Sequence, residues 1–415
     1  MTANYLPSRE FLKYFLITAI TLVVFGLAAF YLILNKEKKT ITENDVARGY
    51  TPSFETTPKA GTSTVSSVNT TENSDRAEET TPKTPQRLWQ VSKSPIAGIG
   101  FVGNATSSTF NFAERSSGYI FAAEPKAGSV VRLSNRLLPK IYEAFFDETG
   151  GIILRSANQN GTITTFSGVM SASSTLSGKY LDNDINPLSI NSKTGELFSL
   201  RSNLTGGTVG TISARDGTKQ KIAFSSTLSN WAAAFLSDGR IFLTQKASDN
   251  VAGYAYELKG GALVPIVRDI PGLIFLPKPK SSAALFSGSQ AGTIQLYALV
   301  DSSRVTLPLK TVADKCVWSS NPEGSKELIA YCAVPQIIAT RNFLETRYQG
   351  RAYTSDDWWR VNAADGTVDF LYSPEGASLD VENPIIDEKD ETIAFINRSD
   401  KTLWVFRIGE KAVGS

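Results

Sequence analysis

Cys316 and Cys332 are the two cysteines of a 415-residue chain that contains no histidine. Without imidazole there is no Ser-His-Asp or Cys-His nucleophile pair and no His-ligated zinc, and two thiolates alone complete neither a structural zinc site nor an ordinary iron–sulfur cluster. No cofactor and no metal site are therefore expected. The two cysteines fall on adjacent strands of one hairpin, and counting inward from both places their side chains opposite each other, which suits a cross-strand disulfide. Closing a loop of about 15 residues would contribute roughly 3 kcal/mol in the chain-entropy model. The alternative is a pair of buried free thiols.

The other concentration of chemically capable residues is Arg341, Arg347, Tyr348, Arg351 and Tyr353, followed by Asp356, Asp357, Trp358 and Trp359. Arginine and aromatic residues dominate binding hot spots because each combines large contact area with directional hydrogen bonding. Arg341, Arg347, Tyr348, Arg351, Tyr353, Asp356 and Trp358 are thus the candidate binding residues. The competing reading folds this segment onto its own sheet, with Trp359 in the core and the arginines solvated. Asp356, Asp357 and Glu345 make a poor glycosidase pair, since neighbours on a strand point to opposite faces. Asp182-Asn183-Asp184-Ile185-Asn186 has calcium-loop spacing for its first oxygens, but Pro187 stands where glycine is needed and Lys193 where the closing Glu belongs, so a polar turn is expected. Gly206-Gly207 and Gly260-Gly261 read as turn glycines, because no helix follows to receive a phosphate.

These residues must be positioned by an all-β head. After Pro85 the sequence becomes short apolar runs separated by Gly, Asp, Asn, Ser and Pro, with no helical period sustained for three turns. One unit recurs: strand, polar turn, strand, looser turn, third strand. Its hairpin appears as Ala144–Arg155, Leu188–Arg201, Ala233–Thr244, Ile274–Ser287, Val317–Cys332 and Pro384–Asn397, with a less regular copy from Ile96. First strands begin near residues 97, 143, 187, 231, 273, 316 and 384. The steps are those of one four-stranded propeller blade, except for a longer sixth step that accommodates the insertion Val334–Asp356. That insertion joins the second and third strands of blade six, on the same face as the connections between blades. The seventh unit stops after its third strand, and Leu88–Val91 is the segment available to complete it and close the ring.

Among these hairpins Asp390–Phe395 (DETIAF) and Asp238–Phe242 (DGRIF) resemble the WD-repeat-like units of TolB-type propellers, a resemblance that covers about residues 86–408. It implies a seven-bladed β-propeller and, propellers being functionally diverse, little about activity. The Gly-His and Trp-Asp dipeptides of true WD repeats are lacking, as is the Ser-x-Asp-x-Gly-x-Thr-Trp box of sialidases. With Lys315–Trp318, Tyr331–Pro335, Tyr348-Gln349-Gly350 and Ser355–Trp359, the chain also resembles uncharacterised membrane-anchored bacterial propellers.

The N-terminal portion supplies an address. Phe15–Leu34 is a run of 20 uncharged, mostly apolar residues, enough at about 1.5 Å per residue to span roughly 30 Å of hydrocarbon. No small-residue cleavage site follows, so an uncleaved transmembrane helix is expected rather than a signal peptide. Residues 35–85 contain 12 Thr, 5 Ser and 4 Pro and too few apolar residues to fold, which predicts a flexible tether. The expected plan is a short tail (1–10), a transmembrane anchor (11–34), a tether (35–85), a seven-bladed propeller (86–408) and a C-terminal tail (409–415). Basic residues flank the anchor on both sides, so charge does not orient it. The Ser/Thr-rich stalk favours an extracytoplasmic head over a cytosolic one. A net charge of +2 argues against nucleic acid as a partner. The expected function is a membrane-anchored binding or scaffolding module for an envelope protein, peptide or glycan. The alternative is a carboxylate-based glycan hydrolase or lyase, whose acids would converge on the central channel.

Overall fold

The computed structural model describes residues 86–102, 108–171, 175–321, 327–337 and 341–409. The expected anchor and tether, and residues 410–415, lie outside them. Among the described residues no helix is long and apolar enough to cross a membrane. The chain divides into two units, Met1–Glu79 and Thr80–Ser415, and all described residues belong to the second.

Seven four-stranded antiparallel sheets follow one another along the chain, the seven blades expected from the repeat spacing. Six are built from consecutive strands. The seventh takes Val381–Ile386, Thr392–Asn397 and Leu403–Arg407 from the C-terminal end and Leu88–Ser92 from the N-terminal end, paired in the register Leu88↔Phe406 and Trp89↔Val405. Arg87 strengthens this seam with a guanidinium hydrogen bond to the Ile408 carbonyl (3.1 Å).

Burial explains why the strands read as they do. A propeller sheet is covered on both faces, so its inner strands need apolar residues on both sides. Thr392–Asn397 is buried at every position, and Ala284–Gln290 and Ile329–Pro335 nearly so, whereas the outermost Ser129–Arg132 is exposed throughout. The core is accordingly divided among the blade junctions. Ile96, Phe110 and Phe112 of blade one pack on Ile396 and Val405 of blade seven, with Trp89 alongside; Trp358 of blade six stacks on Phe406 of blade seven at 5.3 Å. Space near the axis is tight: a Cβ at Gly98 would lie 2.0 Å from the Ala144 carbonyl oxygen of the next blade.

The turns between first and second strands are stitched in sequence. Glu148 N–H donates to Ser192 O (2.8 Å), Asn191 Nδ2 to Leu236 O (2.9 Å), Arg240 Nη2 to Lys278 O (2.7 Å) and Lys278 Nζ to Ser319 O (3.1 Å). Ser320 N–H donates to Asp390 Oδ1 (2.8 Å), and Ser108 Oγ to Asp387 Oδ2 (2.5 Å), carrying the series from blade seven to blade one. Among the described residues, six of the seven junctions are bridged in this way on the face opposite the blade-six insertion.

Removing the closing strand leaves the Leu403–Arg407 edge unpaired and strips Leu88 and Trp89 from the packing around Phe406 and Val405. A head beginning at residue 93 is expected to melt lower than one beginning at residue 86, by an amount matching a loss of about 3 kcal/mol or more, and to self-associate on size-exclusion chromatography. Equal midpoints and monomeric profiles would show the closure to be dispensable.

Candidate functional site

The blade-six insertion leaves the sheet after Pro335, forms the short helix Phe343–Tyr348, and re-enters at Asp356. Beyond its foot, where Gln336 bonds to Asp357 of blade six (2.9 Å), its described residues lean mainly on other blades. Phe343 and Leu344 bury themselves against Ile294 of blade five and Val312 of the connection from blade five to blade six. The Glu345 N–H donates to Asp249 Oδ2 of blade four (3.0 Å), Arg347 Nη1 donates to Asp314 Oδ2 (2.8 Å), and Arg398 of blade seven donates to the carbonyls of Ala352 (3.0 Å) and Arg347. The insertion therefore bears on blades four, five and seven, on the face that carries the inter-blade connections.

This arrangement separates the candidate residues into two groups. Arg341, Tyr348, Arg351 and Tyr353 are exposed, Tyr348 and Tyr353 at about half their surface. Arg351 reaches Gln349, and the Arg398 guanidinium lies over the Tyr353 ring at 5.4 Å. Arg347, Asp356 and Trp358, by contrast, are not surface residues. Arg347 is buried because its charge is neutralised by Asp314, Asp356 because it meets Lys315, and Trp358 because Phe395 and Phe406 close over it. The assignment of these three to the contact surface is corrected accordingly. Trp359 is partly buried and packs edge-on against Phe370 at 5.3 Å.

Several residues that shape this face were not singled out from sequence. Lys315, Asp314, Asp249, Asp380 and Arg398 form the ionic floor beneath the insertion, and Ile337 stands 84% exposed at its start. A charged Ala-Asp-Lys step directly before a buried strand was the available signal for Asp314 and Lys315.

Electrostatics reflect the crowding. Burial pushes the Asp356 carboxyl up, against the opposing pull of Lys315. Arg347 is held above its ordinary value because Asp314 and Asp380 outweigh the effect of its burial. Tyr348 keeps half its surface open, yet crowding around the hydroxyl, together with Asp314 and Asp249, pushes the phenol up to about 12. Tyr331, buried between blades six and seven, also rises to about 12, through burial and then Asp390.

Cys316 and Cys332 are joined in a disulfide across directly opposed residues of the first and second strands of blade six. The Asp182–Asn186 segment is an inter-blade turn in which Asp182 pairs with Arg201 (2.7 Å) and Asp184 Oδ1 accepts the Ile163 N–H (2.9 Å). Among the described residues no group of three or more Cys, Asp or Glu is placed to hold a metal ion. The innermost strands carry two charged side chains among the described residues. Glu143 pairs with Arg155, and Glu382 pairs with Lys401 and lies 3.8 Å from Arg398. A separate cleft of about 220 Å³ opens between blades two and three, lined in part by Ser199, Thr211 and Ser213.

The fold is similar to several solved propellers. Virginiamycin B lyase from Staphylococcus aureus superposes with a TM-score of 0.47 at 13% identity, covering 77% of this chain and 98% of that one. A chain of the mitotic checkpoint complex gives 0.48 at 13% identity, covering 85% and 99%. The β-propeller domain of the trilobed protease from Pyrococcus furiosus gives 0.46 at 9%, covering 77% and 98%. No protein-family model matches the chain, and no curated protein matches it. These likenesses concern chain path, and nothing about ligand or activity is taken from them.

Two tests follow from the burial pattern. Arg347→Ala, which strips Asp314 of its partner, is expected to lower stability in urea by about 2–3 kcal/mol, whereas Arg351→Ala lowers it by less than about 0.5 kcal/mol. Equal effects would contradict the division between floor and surface. In the unfolded chain tyrosine ionises near 10, so between about pH 10 and pH 12 the fold keeps a Tyr331 proton that the unfolded state releases, and stability falls as pH rises. Tyr331→Phe is expected to lose less stability than the parent between about pH 9 and pH 11.5. Parallel alkaline losses would refute the assignment.

Proposed function

We propose that this chain is a single-pass membrane protein whose seven-bladed propeller is displayed on the extracytoplasmic side. There it acts as a binding or scaffolding module for a protein, peptide or glycan of the cell envelope. The observation that carries this reading is the insertion itself: an exposed Arg341, Tyr348, Arg351 and Tyr353 surface standing on a floor of buried and half-buried ion pairs. A contact surface held rigid before binding loses less entropy on association. The uncharged run Phe15–Leu34 supplies the anchor and residues 35–85 the tether. The Cys316–Cys332 disulfide accords with an oxidising compartment.

The hydrolase reading draws less support. It calls for two carboxyl groups about 5–9.5 Å apart and free to meet substrate, whereas the two acids of the innermost strands, on blades two and seven, are each engaged by cations.

A photoreactive residue placed at position 351 of the full chain in living cells is expected to capture a defined partner. The same group at Lys389, in a turn of the opposite face, captures none. Combined Arg341→Ala, Tyr348→Ala and Tyr353→Ala substitutions are expected to reduce capture at least about tenfold, the effect of losing 1.4 kcal/mol. In the same cells, external protease is expected to cut between residues 35 and 85 and release the head. Undiminished capture by the triple variant defeats the surface, and a protected tether reverses the orientation.

A further inference from the structure

Beneath the insertion, the ammonium group of Lys315 is enclosed by two carboxylates. The Lys315 and Asp356 side chains are fully buried, and Asp380 is 2% exposed. Lys315 ends the single 3₁₀ turn that leads into blade six, Asp356 begins that blade's third strand, and Asp380 immediately precedes the first strand of blade seven. Nζ donates to Asp356 Oδ2, to Asp380 Oδ1 (2.5 Å) and to Thr354 Oγ1 (2.8 Å).

The two carboxylates differ in their surroundings. Asp380 also faces a second cation, Arg398, at 3.7 Å, and accepts a hydrogen bond from Thr354 Oγ1 (3.1 Å). Asp356 Oδ2 accepts the Val381 N–H (2.8 Å), while Oδ1 has no hydrogen-bond partner among the described residues. Around them Ala313, Leu379 and Val381 are buried and apolar. One acid thus lies between two cations, and the other presents a buried oxygen with no hydrogen-bond partner among the described residues.

We infer that Lys315 and Asp356 condense into an intramolecular isopeptide bond, with Asp380 relaying the protons. Asp380 takes a proton from the ammonium group and passes it to Asp356 Oδ1. The freed lone pair forms the N–C bond at Asp356 Cγ, and the Val381 N–H stabilises the charge that develops on Oδ2. A second proton travels from nitrogen to Oδ1 by the same carboxylate, the C–Oδ1 bond breaks, and water leaves. Ammonium plus carboxylate gives amide plus water, Asp380 ends as it began, and no oxidant is consumed. Burial supplies the driving force, since an amide removes two charges that are costly to hold out of water. Enforced proximity supplies the rate, with effective molarities on the order of 10⁵–10⁸ M for well-oriented groups.

Position gives this bond a purpose. The insertion starts on the strand that contains Cys332 and ends at Asp356, and the partners of those two residues, Cys316 and Lys315, are neighbours in sequence. Disulfide and isopeptide together would close the insertion covalently at its base, one crosslink under each foot.

Mass spectrometry of the full chain, purified in detergent, reduced, alkylated, denatured and digested with trypsin, tests this. The expected product joins residues 311–326, uncleaved at Lys315, to residues 352–360, lighter than the summed peptides by one water. Recovery of both peptides at their sequence masses, with cleavage after Lys315, would overturn the proposal whatever the variants do. D380A is expected to abolish the joined species while its far-ultraviolet circular dichroism stays that of a propeller. Persistence of the joined species in D380A would overturn the relay role, and its loss in K315R fixes the nitrogen.

Discussion

The structure depends on one constraint: each blade is a single sheet with two apolar faces, and only the neighbouring blades can cover them. Ile153 of blade two needs Leu188 and Leu197 of blade three, and Trp231 and Leu243 of blade four need Phe198 and Leu200 of blade three. No blade has a core of its own. Stability is therefore a property of the ring, and a gap at any junction would expose two faces at once. This is why the N-terminal strand crosses to blade seven, and why turn residues reach from blade to blade as well as bracing their own turns.

The same constraint explains what was legible in the sequence. Repeat spacing and polar turns follow from strand length and chain reversal, which are local, so the blades and the strand that completes the seventh were visible from Leu88 to Arg407. The disposition of Trp358 and Trp359 was not. Alternation says that adjacent residues face opposite ways, but in a propeller both ways lead inward, one to Phe395 and Phe406 of the next blade and the other toward blade five. Exposure there is decided by strand position within the blade, which alternation does not encode. Arg347 was misjudged for a related reason, since Asp314 lies 33 residues earlier in sequence and only the tertiary fold brings it beneath the helix.

Charge is used differently on the two faces. On the turn face, Asn191 and Asp387 brace their own turns with one oxygen and tie to the neighbouring blade with the other polar atom, and Lys278 reaches across to Ser319. On the insertion face the ions are gathered under one added element, where Lys315, Asp356, Asp380 and Arg398 converge from blades six and seven and their connections. An insertion with two large apolar side chains, Phe343 and Leu344, would be a weakly held flap if hydrophobic contact were its only attachment. The buried charges add direction, because ion pairs and hydrogen bonds fix orientation where apolar packing only favours proximity. The four exposed residues inherit that fixed orientation.

The strand that closes the ring is also the one by which the first 85 residues are attached to it. Leu88–Ser92 lies outermost in blade seven, paired along a single edge with Leu403–Arg407. Any pull transmitted from the N-terminal side therefore arrives first at this seam. A force directed across the strands breaks such hydrogen bonds one after another, like a zipper, while a force along them loads all at once. The angle at which the chain leaves Gln86 thus sets how much tension the propeller bears before its first junction opens, and the Arg87 hydrogen bond to Ile408 is the first fastening in that path.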